Sequence, residues 1–252
     1  MKTSTEHALT KVPEVTLGFW LIKIAATTLG ETGGDAVSMS MNLGYLVGTG
    51  IFAVIFLAAV FAQTKAKRFR PFLYWGTIIA TTTVGTTLAD FADRSLGIGY
   101  AGGSCLLLAL LLGSLFVWHR TLGSVSVSSV SSPKAEAFYW LTIMFSQTLG
   151  TALGDWTADT AGLGYTGAAV VFLALLAIAV AAYYWTTVSR TLLFWAAFIL
   201  TRPLGAVVGD FLDKPHSSGG LALSRYSASA ALLAFMLTAI LLFRQRAART
   251  AH

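Results

Sequence analysis

Four aspartates of this chain recur at one fixed spacing. Asp35, Asp90, Asp155 and Asp210 each lie fifteen residues after a tryptophan (Trp20, Trp75, Trp140 and Trp195) and five after a glycine (Gly30, Gly85, Gly150 and Gly205). No residue is gained or lost between Trp and Asp in any copy. Each set opens an apolar stretch, so the repeat brings a carboxylate to one depth four times over. Carboxylates at membrane depth are costly and are usually kept for ion or proton handling. Of the 11 acids, eight belong to these motifs: Glu31, Asp35, Asp90, Asp93, Asp155, Asp159, Asp210 and Asp213. Oxygen-only donors suit hard cations such as Mg²⁺, Ca²⁺ and Mn²⁺. The lone Cys105 lies outside the motifs and only His216 lies near one, which argues against copper and zinc.

On a helix, the positions 8, 11, 15 and 18 residues after each Trp fall within about 80° of one another. They carry Thr28, Glu31, Asp35 and Ser38 in the first copy, and Thr83, Thr86, Asp90 and Asp93 in the second. The third gives Thr148, Thr151, Asp155 and, displaced by one residue, Asp159; the fourth keeps only Asp210 and Asp213. Lipid cannot solvate such a stripe, so it is expected to face other helices or water. The expected metal ligands are Glu31, Asp35, Asp90, Asp155 and Asp210. Thr28, Thr83, Thr86, Thr148 and Thr151 are the expected pathway hydroxyls, and Asp93, Asp159 and Asp213 the outer mouth. For these last three the plainer reading, a solvated residue closing a turn, weighs most. Arg202 stands where the other copies have Thr27, Thr82 and Gln147, either as a structural counter-charge or as an internal cation competing with substrate. Beside the stripe run Gly30/Gly34, Gly85/Ala89, Gly150/Gly154 and Gly205/Gly209, the small-residue spacing that lets membrane helices approach closely.

The elements that would hold these residues follow from hydropathy. The chain of 252 residues is 56% hydrophobic and 11% charged, and its mean hydropathy is +0.71. A hydrocarbon core of roughly 30 Å takes about 20 apolar residues to cross. Such windows fall at 16–34, 43–62, 72–91, 97–118, 137–156, 165–185, 191–210 and 221–243. The expected fold class is an all-α integral membrane protein: eight transmembrane helices as four tandem helix-pair repeats, in two parallel pseudo-symmetric halves. The repeats run over 15–65, 70–120, 135–187 and 190–245 of a single polytopic domain, 1–252, with a flexible, Ser-rich cytoplasmic linker at 121–134. Repeats two and four share Asp-Phe-x-Asp followed by a cation, Arg94 or Lys214.

Lys and Arg set the orientation. Lys2, Lys11, Lys65, Lys67, Arg68, Arg70, Arg120, Lys134, Arg190, Arg244, Arg246 and Arg249 fall on the side of the termini, against Arg94, Lys214 and Arg225 on the other. Both termini are therefore expected in the cytoplasm, and no signal peptide is read at Met1–Thr16. The net charge of +6 gathers in short loops, so it does not point to a nucleic-acid partner. Trp20 and its counterparts are expected as interfacial anchors, and Lys23 is expected to snorkel. A 15-residue helical segment then carries each Asp about 22 Å from the Trp interface, past the midplane.

Four tandem helix pairs, each opening on Trp and closing on Gly-x-x-x-(Gly/Ala)-Asp, resemble a family of bacterial membrane proteins known as a four-fold repeat of unknown function. Through it they resemble the hemi manganese exchangers. The resemblance spans residues 15–243 and implies an Mn²⁺ exporter of the bacterial inner membrane. Repeat four departs from the pattern at Arg202, Pro203 and a longer loop, 214–225. The expected activity is thus export of a hard divalent cation, Mn²⁺ first, through a carboxylate-lined midplane site, with proton coupling. The expected partners are the lipid bilayer and the metal ion, with a homo-oligomer left open; no cofactor is expected. The alternatives are a monovalent-cation or proton channel or carrier, and a non-transporting membrane assembly protein. No HExxH or GxSxG motif points to an enzyme.

Overall fold

The computed structural model describes residues 10–248, so the charges counted at Lys2 and Arg249 lie outside the described residues. The described chain folds into eight long helices: α1 (Leu17–Asp35), α2 (Gly44–Lys65), α3 (Pro71–Asp90), α4 (Tyr100–Leu122), α5 (Pro133–Asp155), α6 (Gly164–Trp185), α7 (Arg190–Asp213) and α8 (Arg225–Leu242). Their starts are written locally. Thr16, Ser132 and Ser189 accept backbone N–H groups at the starts of α1, α5 and α7, and Pro71 and Pro133 occupy first-turn positions where no N–H is needed.

Each of α1, α3 and α5 runs past its Asp into one wider π-helical turn, at Ala36–Ser40, Phe91–Ser95 and Trp156–Thr160. The chain then reverses through residues with positive φ: Asn42 and Gly44, Gly97 and Gly99, Gly162 and Gly164. Glycine meets that backbone at no steric cost, which is why a Gly-Tyr step opens the return helix three times. Repeat four has no π-helical turn; α7 continues to Asp213, and the chain reverses through a longer loop with Gly219 and Ala222 at positive φ.

The odd helices form a closed inner ring. Gly30 of α1 packs on Thr82 of α3, Gly85 on Gln147 of α5, Gly150 on Arg202 of α7, and Gly205 on Thr27 of α1. The glycine ten residues after each Trp thus meets the residue seven after the next Trp, cyclically. One turn further, Gly34 meets Thr86, Gly154 meets Ala206, and Gly209 meets Glu31 in the same sense. A Cβ at Gly209 would stand 2.7 Å from Glu31 Cβ, so the ring depends on bare backbone at these positions.

The helix pair of the sequence repeat is not the packing pair. Each even helix lies against the inner helix of the next repeat: α2 on α3, α4 on α5, α6 on α7, and α8 back on α1. In three repeats the chain reaches that neighbour through a π-helical turn, and in the fourth through the longer loop after Asp213. The sequence repeat of one inner and one outer helix stands, but the closest packing runs between repeats.

Layers of side chains fill the ring axis. The Trp end is aromatic, and here too residue n meets repeat n+1: Phe19–Trp75 at 5.4 Å, Tyr74–Trp140 at 5.8 Å, Tyr139–Trp195 at 6.3 Å and Phe194–Trp20 at 5.9 Å between ring centroids. Tyr74 and Tyr139 hydroxyls join them at 2.6 Å. Trp75, Trp140 and Trp195 are buried, so they are core residues and not the interfacial anchors expected of them. Inward from them come Lys23, Ile78, Ile143 and Phe198, all at 0% exposure. Lys23 does not snorkel: its Nζ lies 4.2 Å from the centre of the Phe198 ring and has no hydrogen-bond partner among the described residues.

The linker between the halves is ordered. Val127 and Val130 are buried under a short 3₁₀ turn, Trp195 Nε1 donates to Val125 O at 2.9 Å, and Thr10 Oγ1 donates to Val127 O. Two backbone hydrogen bonds, Glu14 N to Arg246 O and Ala248 N to Val12 O, strap the terminal segments together. Lys11 joins this cap through Glu136 at 2.6 Å and the carbonyls of Gln63 and Thr64. Its serines suggested flexibility, but the linker's two valines and its free carbonyls tie it down over the aromatic layer.

The outward faces of the even helices are apolar, with Leu46, Val54, Phe61, Phe116, Val170, Ile178 and Leu241 largely exposed. Five helices, α2, α4, α6, α7 and α8, are long and apolar enough to cross a membrane. The others, α1, α3 and α5, carry the polar stripes and lie within the ring.

Candidate ion site

The polar stripe turns inward in three layers, and the structure divides its members unequally among them. Seven residues after each Trp stand Thr27, Thr82, Gln147 and Arg202, all at 0% exposure. Gln147 Nε2 donates to Thr82 Oγ1 at 2.8 Å, and Thr27 Oγ1 lies within hydrogen-bond reach of the carbonyls of Ile24 and Thr201.

Arg202 reaches from α7 into the next layer, where Glu31, Thr86 and Thr151 gather. Its Nη2 donates to Glu31 Oε2 at 2.9 Å, to Thr86 Oγ1 at 2.6 Å and to Thr151 Oγ1. A buried ion pair of this kind is retained only where hydrogen bonds complete it. Arg202 is thus ion-paired with Glu31 in this structure. Its Nε and Nη1 have no partner among the described residues, and neither do Gln147 Oε1 and Ser146 Oγ.

The other hydroxyls do not join this group. Thr28, Thr83 and Thr148 each donate to a carbonyl of their own helix four residues back, at 3.0, 2.8 and 3.0 Å. Back-bonding satisfies a hydroxyl inside a helix with no help from outside, and the angle that separates these residues from Thr86 and Thr151 turns them off the axis.

Asp35, Asp90, Asp155 and Asp210 form the last layer, all buried at 3% exposure or less. Two cations tie them pairwise. Arg94 Nε lies 3.0 Å from Asp90 Oδ1 and its Nη2 3.2 Å from Asp155 Oδ2, bridging repeats two and three. Lys214 Nζ lies 2.6 Å from Asp35 Oδ2 and 3.0 Å from Asp210 Oδ1, bridging repeats four and one. Each cation sits four residues after the Asp of its own repeat and reaches to the next repeat. Burial opposes the charge on Lys214, but Asp210, Asp35 and Asp213 outweigh it and hold the ammonium well above the usual lysine range. Asp90 and Asp155 do the same for Arg94 against its burial.

The outer acids divide three ways. Asp213 joins the repeat-four cluster: Arg225 Nε lies 3.0 Å from its Oδ2 and 3.7 Å from Asp35 Oδ2. One carboxylate oxygen from each of Asp35, Asp210 and Asp213 falls within 4.8 Å of the others. Asp93 instead lies against Gly103 of α4, where burial pushes its carboxyl up despite Arg94 beside it. Asp159 is exposed at the rim and takes no part in the layer.

Sequence reasoning noted Arg94 and Lys214 after Asp-Phe-x-Asp and counted them with Arg225 for orientation, but missed that all three pair with the aspartates. The signal was present: repeats two and four carry a cation four residues after Asp, one helical turn on, and repeats one and three carry Met39 and Asp159 there.

No curated protein and no solved structure matches the chain. A family model does, at residues 18–69, 73–124, 138–189 and 193–250. Each match begins two residues before a motif Trp and takes in one inner helix with the outer helix that follows it. Four consecutive matches cover most of the chain, which therefore belongs to the family described as Repeat of Unknown Function (DUF347).

Proposed function

We propose that the protein crosses the bacterial inner membrane with all eight helices, both termini in the cytoplasm, and exports a hard divalent cation, Mn²⁺ first. The observation that carries this reading is the buried layer of Asp35, Asp90, Asp155 and Asp210 around one axis, whose charge is met by side chains entering from the Asp end. Glu31 and the four aspartates are the acids of the pathway, and Thr86 and Thr151 its hydroxyls. Arg202 divides the layers toward the cytoplasm, and the aromatic layer with its strapped cap closes that end. The arrangement corresponds to an occluded state, with Arg94 and Lys214 holding the place of the cargo. Carboxylate oxygen is the donor a hard cation prefers, and Mn²⁺ is the choice within that class by resemblance to the hemi manganese exchangers. Proton uptake by these carboxylates releases the ion and couples export to proton entry.

The test is flux into proteoliposomes with Mn²⁺, Mg²⁺, Ca²⁺ and Na⁺, each with and without a pH gradient. We expect Mn²⁺ movement that grows with the gradient and is lost in a double Asp35→Asn/Asp210→Asn variant. Flux of no ion at all would leave a membrane assembly role and end the transport reading.

A second reading has its own observation. Arg202 balances the single buried acid of the inner layers, Glu31, and Lys23 stands on the same axis without an acid partner among the described residues. That lowers the attraction for a divalent ion in the inner layers and favours a monovalent-cation or proton carrier. Na⁺ or proton flux without Mn²⁺ flux would select it.

A further inference from the structure

The pseudo-fourfold ring holds two seams of the same design, and they are not equivalent. At the seam of repeats two and three, Arg94 spans Asp90 and Asp155 with two different nitrogens, and the third acid of that repeat, Asp93, is turned against Gly103. At the seam of repeats four and one, a single ammonium sits between Asp35 and Asp210, and Asp213 closes on the same group. The difference traces to the turns. Repeat two leaves its Asp through a π-helical turn that sends Asp93 toward α4, whereas α7 stays regular to Asp213 and keeps Asp210 and Asp213 on one face.

Resting on the transport reading above, we propose that the cation is bound at one place only, the seam of repeats four and one, by Asp35, Asp210 and Asp213 in exchange for the Lys214 ammonium. Arg94 is a fixed clamp at the other seam.

Four observations carry this assignment. The three carboxylates offer oxygens within 4.8 Å of one another. Opposite oxygens around an ion with bonds of about 2.0–2.6 Å stand roughly 4–5 Å apart, so the group closes on a cation with little movement. A cation already occupies the place, since Lys214 Nζ lies 2.6 and 3.0 Å from Asp35 and Asp210. Two buried acceptors, Asp35 Oδ1 and Asp213 Oδ1, have no hydrogen-bond partner among the described residues, so the seam has donor capacity that Lys214 and Arg225 do not use. Last, charge favours exchange. Three carboxylates face two cations, Lys214 and Arg225, and a divalent ion in place of Lys214 makes the seam neutral.

Lys and Arg differ in how they hold such a place. An ammonium is a point charge on a flexible stem, and Lys214 follows the last residue of α7, at the start of the loop 215–224. A guanidinium bridging two carboxylates is fixed by its planar fork. The protein thus carries one exchangeable counter-ion and one permanent one.

The experiment is Mn²⁺ binding to the purified full-length protein in detergent, followed by electron paramagnetic resonance of free Mn²⁺, with size-exclusion profiles to confirm folding. Removing the competitor in Lys214→Gln is expected to tighten Mn²⁺ binding about tenfold, and losing a ligand in Asp213→Asn to weaken it by at least about tenfold. Lys214→Arg, which keeps the charge but offers a guanidinium that can hold both carboxylates, is expected to weaken binding by a similar factor. Equal tightening in Arg94→Gln and Lys214→Gln, with Asp213→Asn unchanged, would overturn the assignment to one seam while leaving divalent transport intact. Wild-type protein that neither binds Mn²⁺ nor moves any divalent ion would overturn the transport reading itself.

Discussion

Arg202 and Glu31 are the residues on which the interior most depends. Both are fully enclosed, and a lone charge left in that environment is far more costly than a missing pair. Arg202→Met is therefore expected to destabilise the protein by about 3 kcal/mol or more, because Glu31 then stays buried opposite only Thr86. The double variant Arg202→Met/Glu31→Gln should recover much of that loss, since a neutral amide can still meet the Thr86 and Thr151 hydroxyls. Thermal unfolding of the two variants in detergent checks both outcomes, and a double variant no better than the single would show that the charge pair is not the cause. The sequence made the position of Glu31 along its helix legible, because it lies eleven residues after Trp20 in a motif of fixed spacing. It did not reveal which side chain stands opposite, since that depends on which helix is the neighbour. Lys23 shows the same limit: a lysine near a helix end can snorkel or point inward, and only the ring around it decides.

At the scale of elements, the glycines divide into those the ring needs and those it does not. Gly30, Gly150 and Gly205 lie where any side chain would enter the neighbouring helix. Gly33 has nothing within 4 Å of an added Cβ, although it sits in the same helix as Gly30 and three residues from it. Gly30→Val is expected to cost about 2 kcal/mol or more through overpacking. Gly33→Ala is expected to gain up to about 1 kcal/mol through helix propensity. Opposite shifts of the unfolding temperature in this pair would establish that the contact, and not loss of glycine as such, sets the effect. The small-residue register was legible from spacing alone, because four copies in phase with Asp leave little room for chance. The order of packing was not. Nothing in one repeat says that α2 leans on α3 instead of α1; three repeats get there by a π-helical turn and the fourth by a longer loop, so no one local signature marks the step. The serine-rich linker misled for a related reason, as its two buried valines outweigh the polar residues around them.

For the whole molecule, the distribution of charge predicts how it sits in a membrane. At the Trp end, Lys65, Lys67, Arg68, Arg70, Arg120, Arg190, Arg244 and Arg246 surround the strapped cap. At the Asp end, the three cations present, Arg94, Lys214 and Arg225, are each held against carboxylates. It is the unequal number of Lys and Arg at the two ends that orients a chain during insertion. The Trp end is thus expected to face the cytoplasm. Labelling of single cysteines with a membrane-impermeant maleimide reads this directly, in a Cys105→Ala background because Cys105 is exposed on α4. Ser218→Cys, in the exposed loop between α7 and α8, should react in intact cells; Ser129→Cys, exposed in the linker, should react only after permeabilisation. The reverse pattern would invert the proposed orientation. Equal labelling of both sites in intact cells would mean that no bilayer separates the two ends of the ring, and the buried aspartates would then have no membrane to carry an ion across.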